Sequence, residues 1–120
     1  KKLLEFHEEK GLKATVTAVQ PPGRFGSLEI KDDKVLSFIE KPIGDKAWIN
    51  GGYFVFSPSV FDYIDGDQDS LEEKTLIKIA CDSQLSAYKH TGYWQPMDTL
   101  RDKNILEDLW SNKKAPWKKW

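Results

Sequence analysis

Hydrophobic positions change period several times along this chain, and each change marks a predicted element. Leu3, Phe6, His7 and Lys10 fall on one side of a helix, with Gly11 where a C-terminal glycine cap belongs. Ala14–Val19 is dense in β-branched residues and predicts a strand. Gln20-Pro21-Pro22-Gly23 ends it, since neither proline can donate to a ladder. After Arg24-Phe25-Gly26, Ser27–Lys31 and residues 34–40 predict a hairpin about Asp32-Asp33, a weaker turn signal than Asn-Gly. Pro42 stops the second strand and a polar loop, Ile43-Gly44-Asp45-Lys46, follows. Residues 48–56 form the most apolar run and predict a central strand buried on both faces, interrupted by Asn50-Gly51-Gly52.

Beyond it, Ser57-Pro58 starts a short helix through Val60, Phe61 and Ile64, with proline at the first helical position. Residues 65–69 are acidic, but glycine and glutamate are not at EF-hand spacing, so a solvated turn is predicted. Ser70 with Glu73 makes a capping box for a helix over 71–81, with Leu76, Ile79 and Ala80 facing inward. Residues 84–90 alternate as an edge strand with His90 at its solvent-facing end. Thr99 with Asp102 makes a second capping box for a helix carrying Ile105, Leu106, Leu109 and Trp110. The order of elements gives one α/β or α+β piece, part of a sheet rather than a whole one.

Composition narrows this picture only modestly. The chain has 120 residues, enough for one domain or a part of one. Lys+Arg 18 nearly balances Asp+Glu 19, so no global charge argues for nucleic acid or an anionic membrane. The apolar runs are too short for a membrane span. Cys81 is alone, which excludes an internal disulfide and suits a reducing cytoplasm; its expected role is that of a small buried apolar residue. A helix that begins at residue 1, with neither an initiator Met nor a signal-peptide core, suggests a fragment of a longer chain. The tail, residues 112–120, is basic and aromatic. It suits contact with phosphates or a partner subunit, including self-association into a homo-oligomer, or an arm packing its tryptophans on the body.

Three clusters offer chemistry. Glu40-Lys41 ends a strand just before Pro42. A carboxylate taking sugar hydroxyls beside an ammonium holding a phosphate would suit a sugar phosphate; a surface ion pair is the ordinary alternative. Asn50-Gly51-Gly52 reads equally as a backbone floor against a flat ligand or as a bulge fitting the strand to its neighbours. Asp98 closes the loop Gly92-Tyr93-Trp94-Gln95-Pro96-Met97-Asp98, at the start of the last helix. Mg²⁺ keeps several waters, so one or two carboxylates with substrate phosphates can hold it. Spacing alone favours the plainer role, an aspartate that assists the Thr99 cap beside the helix dipole.

Four motifs in order carry a family resemblance: Pro21-Pro22-Gly23-Arg24-Phe25-Gly26, Glu40-Lys41-Pro42, Ile49-Asn50-Gly51-Gly52-Tyr53-Phe54 and Tyr93-Trp94-Gln95-Pro96-Met97-Asp98-Thr99. Together they resemble the C-terminal half of the sugar-1-phosphate nucleotidylyltransferases, and within them the cytidylyl branch acting on glucose 1-phosphate. The resemblance covers essentially the whole chain and implies an α/β, Rossmann-like fold with a mixed sheet and flanking helices. It implies that residues 1–120 are the C-terminal, sugar-phosphate-binding part of such a domain. The implied reaction joins CTP to glucose 1-phosphate, giving CDP-glucose and pyrophosphate with Mg²⁺. By motif matching, Glu40 would bind hexose hydroxyls and Lys41 the sugar phosphate. Gly26, the Ile49 backbone, Asn50 and Tyr53 would line the sugar pocket, and Asp98 would be a metal ligand. Lys41 and Asp98 are the implied catalytic residues.

The departures matter as much. The family's glycine-rich nucleotide loop, its Pro-Lys-Pro motif and its first metal aspartate are absent from these 120 residues. The expectation is therefore a chain that is incomplete as a catalyst without an N-terminal half. A non-catalytic assembly or regulatory module that keeps the motifs as packing is the alternative.

Overall fold

The computed structural model describes residues 1–21, 23, 27–39 and 47–120, which divide into two compact units. The first comprises Lys1–Val19 and Ile49–His90, and the second Gln20–Trp48 and Thr91–Trp120.

The first unit is built on strand β1, Ala14–Val19. Strand β4, Ile49–Phe56, pairs antiparallel with one edge of β1, and β5, Leu85–Lys89, pairs parallel with the other. The three-stranded sheet, ordered β4-β1-β5, is thus mixed. Every second residue of β1 points the same way, and the sequence uses both faces. Ala14 packs in a cluster with Val60 and Ile79, joined by Tyr63 and Leu85. That cluster draws on the 3₁₀ turn Pro58–Tyr63 and on helix α2, Leu76–Cys81, which continues a π turn at Leu71–Thr75. Ser70 caps that turn, its hydroxyl accepting from the Glu73 N–H at 3.3 Å.

Thr15, the next residue of β1, is fully buried and bonds instead to helix α1, Lys2–Lys10. Helix α1 ends at Gly11 in the left-handed conformation, with φ 64. Its buried His7 reaches Thr15 Oγ1 through Nδ1 at 2.8 Å and Ser57 Oγ through Nε2 at 2.9 Å. Thr15 in turn meets Ser86 Oγ at 2.7 Å, and the Ser86 hydroxyl donates to the Ala14 carbonyl at 3.3 Å. With one proton per hydroxyl, this chain runs one way. Thr15 donates to Ser86 and the His7 Nδ1–H donates to Thr15, while the Ser57 hydroxyl meets Nε2. His7 is therefore a structural histidine, more deeply buried than its helical spacing predicts.

Three expectations need correcting. The apolar run 48–56 is not central: among the described residues β4 pairs with β1 alone, and most of it is exposed. β1 takes the centre because its small and β-branched side chains fit between helices on both faces, while the bulky aromatics of β4 do not have that cover. Ala80 and Cys81 are exposed, since α2 buries Ile79 and turns the following residues outward. The apolar side of the last helix is likewise only partly covered, with Trp110 half exposed.

The second unit contains the hairpin of β2, Ser27–Lys31, and β3, Lys34–Ile39. Asp32 and Asp33 both have positive φ, 50 and 61, which is the type I′ arrangement that matches strand twist. A register irregularity follows Glu29, and Leu28, Ile30, Val35 and Phe38 remain largely exposed. Helix α3, Leu100–Ser111, carries the predicted reciprocal capping box of Thr99 and Asp102. The tail returns towards this helix: Trp117 lies 5.8 Å from the Tyr93 ring, and the Lys118 ammonium sits 5.2 Å from the Trp110 ring centre. That is the packed-arm reading of the tail. Among the described residues, no helix is long and apolar enough to cross a membrane.

Candidate functional site

Gly26, Glu40 and Lys41 fall outside the described residues, so the geometry concerns Ile49, Asn50, Tyr53 and Asp98. The first three share β4. Ile49 pairs with Val19 and Asn50 with Ala18, but Phe54 pairs with Val16, so β4 spends four steps where β1 spends two. The surplus residues form a bulge. Gly52 makes it possible with φ 84, a conformation that strains any residue with a Cβ. Asn50 Oδ1 secures it by accepting the Gly52 N–H at 2.8 Å. Gly51 is required for a second reason: a Cβ there would stand 3.0 Å from the Thr17 carbonyl oxygen and 3.0 Å from a Val19 methyl.

Asn50-Gly51-Gly52 is thus a bulge in structural terms. The outcome for chemistry is a kinked strand whose Asn50 and Tyr53 side chains face solvent, Tyr53 at 67% exposure. The Asn50 amide spends its oxygen on Gly52, which leaves its N–H donors for a hydroxyl or phosphate.

Asp98 lies in the second unit, in the loop that leads to α3. Spacing left two roles for it, and the hydrogen bonds divide them. The Thr99 hydroxyl accepts from the Asp102 N–H at 3.1 Å, while Asp102 Oδ2 accepts from the N–H groups of Thr99 at 3.2 Å and Asp98 at 3.3 Å. Gln95 Nε2 donates to the other oxygen, Asp102 Oδ1, at 3.1 Å. The cap is complete without the Asp98 carboxylate, which is exposed and makes no hydrogen bond or ion pair among the described residues. It is a free hard-oxygen donor, the ligand type Mg²⁺ takes. No group of three or more metal-binding side chains occurs among the described residues. Any cation at Asp98 would therefore rely on water or phosphate oxygens for most of its shell.

The sequence pattern anticipated Asp102 as a capping partner but not the Gln95 bond, nor that this carboxylate is 6% exposed. Aspartate is shorter than the glutamate usual at that capping position. Its reach into the loop, rather than over the helix surface, was the available signal.

Comparison with known proteins adds to this geometry. The family model described as nucleotidyl transferase matches residues 1–112. The chain is 55% identical over all 120 residues to a glucose-1-phosphate cytidylyltransferase of Salmonella typhimurium, covering 100% of this chain and 47% of that protein. It is 34% identical over 114 residues to a mannose-1-phosphate guanylyltransferase catalytic subunit beta of Dictyostelium discoideum, covering 89% and 31%. A solved structure from Bacillus anthracis, named for glucose-1-phosphate thymidylyltransferase and determined with sucrose, superposes with a TM-score of 0.57 at 18% identity, covering 98% of this chain and 49% of that one. The last likeness concerns the fold, and it agrees with the α/β mixed sheet and flanking helices. The chain spans about half the length of the Salmonella relative. Matched by the family model across nearly its whole length, this chain belongs to the nucleotidyl transferase family.

Proposed function

We propose that this chain supplies the sugar-phosphate side and one metal ligand of a glucose-1-phosphate cytidylyltransferase, and that it is catalytically incomplete alone. The observation that carries this reading is 55% identity over all 120 residues to the Salmonella enzyme, of which the chain spans 47%. Residues 1–120 are then the C-terminal part of one domain, completed by an N-terminal half that brings CTP. Among the described residues β4 has one strand neighbour, β1, and an edge strand can take a further strand, which supports such a completion.

In this reading Lys41 pairs with the phosphate of glucose 1-phosphate, and Glu40 accepts hydrogen bonds from hexose hydroxyls. Gly26, the Ile49 backbone, Asn50 and Tyr53 line the sugar pocket. Asn50 stays paired with Ala18 at the edge of the bulge, its oxygen held by the Gly52 N–H and its amide N–H donors left to the sugar. A phosphate oxygen of the sugar attacks the α-phosphorus of CTP in line, the bond to pyrophosphate breaks, and CDP-glucose forms. Most of the acceleration comes from positioning and charge neutralisation rather than proton transfer. Mg²⁺, when bound, would offset the negative charge gathered on the phosphates, with Asp98 as its ligand from this chain.

The test uses glucose 1-phosphate and Mg²⁺ titrated into the wild-type chain and into Lys41→Ala and Asp98→Ala, followed by amide chemical shifts. Wild type is expected to shift while each variant loses the response around its own position. CDP-glucose is expected only when the complementary half is supplied. Identical responses in all three proteins would favour the non-catalytic assembly module instead, and turnover by the chain alone would overturn its incompleteness.

A further inference from the structure

Asp102 is a buried carboxylate that holds, among other contacts, the stretch that presents Asp98. Its two oxygens divide the work. Oδ2 holds the consecutive N–H groups of Asp98 and Thr99, and Oδ1 holds the Gln95 side-chain amide. Gln95 Nε2 also reaches the Pro96 carbonyl at 3.3 Å, so the same amide ties Asp102 to the loop backbone. A helix cap needs only the bond to Thr99 N–H and its return from Asp102 N–H to the Thr99 hydroxyl. The bonds to Asp98 and Gln95 exceed what capping requires. They fix the backbone from residue 95 to residue 99 and so fix the direction in which the Asp98 side chain leaves it.

A single ligand on a flexible loop loses affinity, because ordering it costs conformational entropy at the moment of binding. An exposed carboxylate on a clamped backbone avoids part of that cost. We infer that Asp102 and Gln95 are positioning residues that clamp residues 95–99 and hold Asp98 ready for a divalent cation. This rests on the proposed role of Asp98 as a metal ligand. Neither Asp102 nor Gln95 touches the cation; both act through the loop backbone. Partners of metal-ligating carboxylates typically change affinity by tenfold or more when removed.

The experiment reads Mn²⁺-induced line broadening of the amides of residues 97–99 in the 120-residue chain. Asp98→Asn is expected to abolish the localised broadening. Asp102→Asn offers one acceptor oxygen where the carboxylate offers two, and is expected to weaken Mn²⁺ affinity about tenfold. Gln95→Ala is expected to weaken it less, in the same direction. Thr99→Ala removes the hydroxyl of the cap but keeps the clamp, and is expected to bind Mn²⁺ as wild type does. If Asp102→Asn melts α3, Gln95→Ala decides. Loss of broadening in Asp98→Asn with unchanged affinity in a folded Asp102→Asn, or in Gln95→Ala where that variant decides, would overturn the clamp and leave the metal role of Asp98 standing. Unchanged broadening in Asp98→Asn would overturn both.

Discussion

The two units of this chain achieve order by different means. In the first, the buried residues gather around one strand: Ala14, Thr15, Thr17, Ala18 and Val19 on β1, with Val60, Thr75 and Ile79 beside them and His7 hydrogen-bonded to Thr15. In the second, Asp102 is the one buried residue among those described, and the apolar residues of its hairpin stay exposed, Phe38 at 63%. There, order comes from a type I′ turn, a capping box and ring contacts at the tail. Burial of apolar area is non-directional and cooperative, whereas turns and caps act locally and each contributes about 1 kcal/mol. One unit is held by a core, the other by its corners.

This contrast can be broken most forcefully at Ile79. It is fully buried in the cluster with Ala14 and Val60, so Ile79→Ala is expected to cost the first unit 2–5 kcal/mol, in the usual range for such truncations (about 2–5). Urea unfolding followed by amide exchange should show protection lost across β1 and β5 while the Thr99 cap survives. A uniform loss in both units would mean that the units share one cooperative core.

Thr99→Ala probes the other principle at smaller cost. It is expected to destabilise α3 by about 1 kcal/mol, with β1 amides unaffected. A global fall in stability would contradict a locally held second unit.

The smallest expected effect is a pH dependence confined to the first unit. The backbone N–H of Asp65 donates to Asp69 at 2.9 Å and lowers its carboxyl from the ordinary value, helped by the Lys74 ammonium at 3.0 Å. A carboxyl depressed on folding adds stability above its unfolded pKa and loses it as pH falls through the folded value. The urea midpoint of the wild type should therefore decline below about pH 4, an acid sensitivity that Asp69→Asn should flatten. Equal acid sensitivity in both proteins would remove Asp69 from the account.

What was legible in the sequence follows the same division. Local signals carried well: Ala14–Val19 as a strand, Gly11 as a cap, the Asp32-Asp33 turn and the Thr99 capping box each depend on residues close in sequence, while at Ser70 only the hydroxyl half of the predicted box is present. Placement of the strands did not. Residues 48–56 read as central because periodicity measures apolar content, whereas centrality depends on which strand finds two partners, and β1 found them. At the candidate site, spacing could not tell that Asp102 and Thr99 complete the cap without the Asp98 carboxylate. The bond from Gln95 to Asp102 spans seven residues of irregular loop, where no period exists to read.

The one-way hydroxyl chain through His7 has a kinetic meaning as well. Its links join residues 8, 50 and 71 positions apart, and closing such loops costs entropy before any contact rewards it. The relay therefore completes only after the segments bearing Thr15, Ser57 and Ser86 have met. Bonds made that late are expected to slow unfolding of the first unit more than they speed its formation.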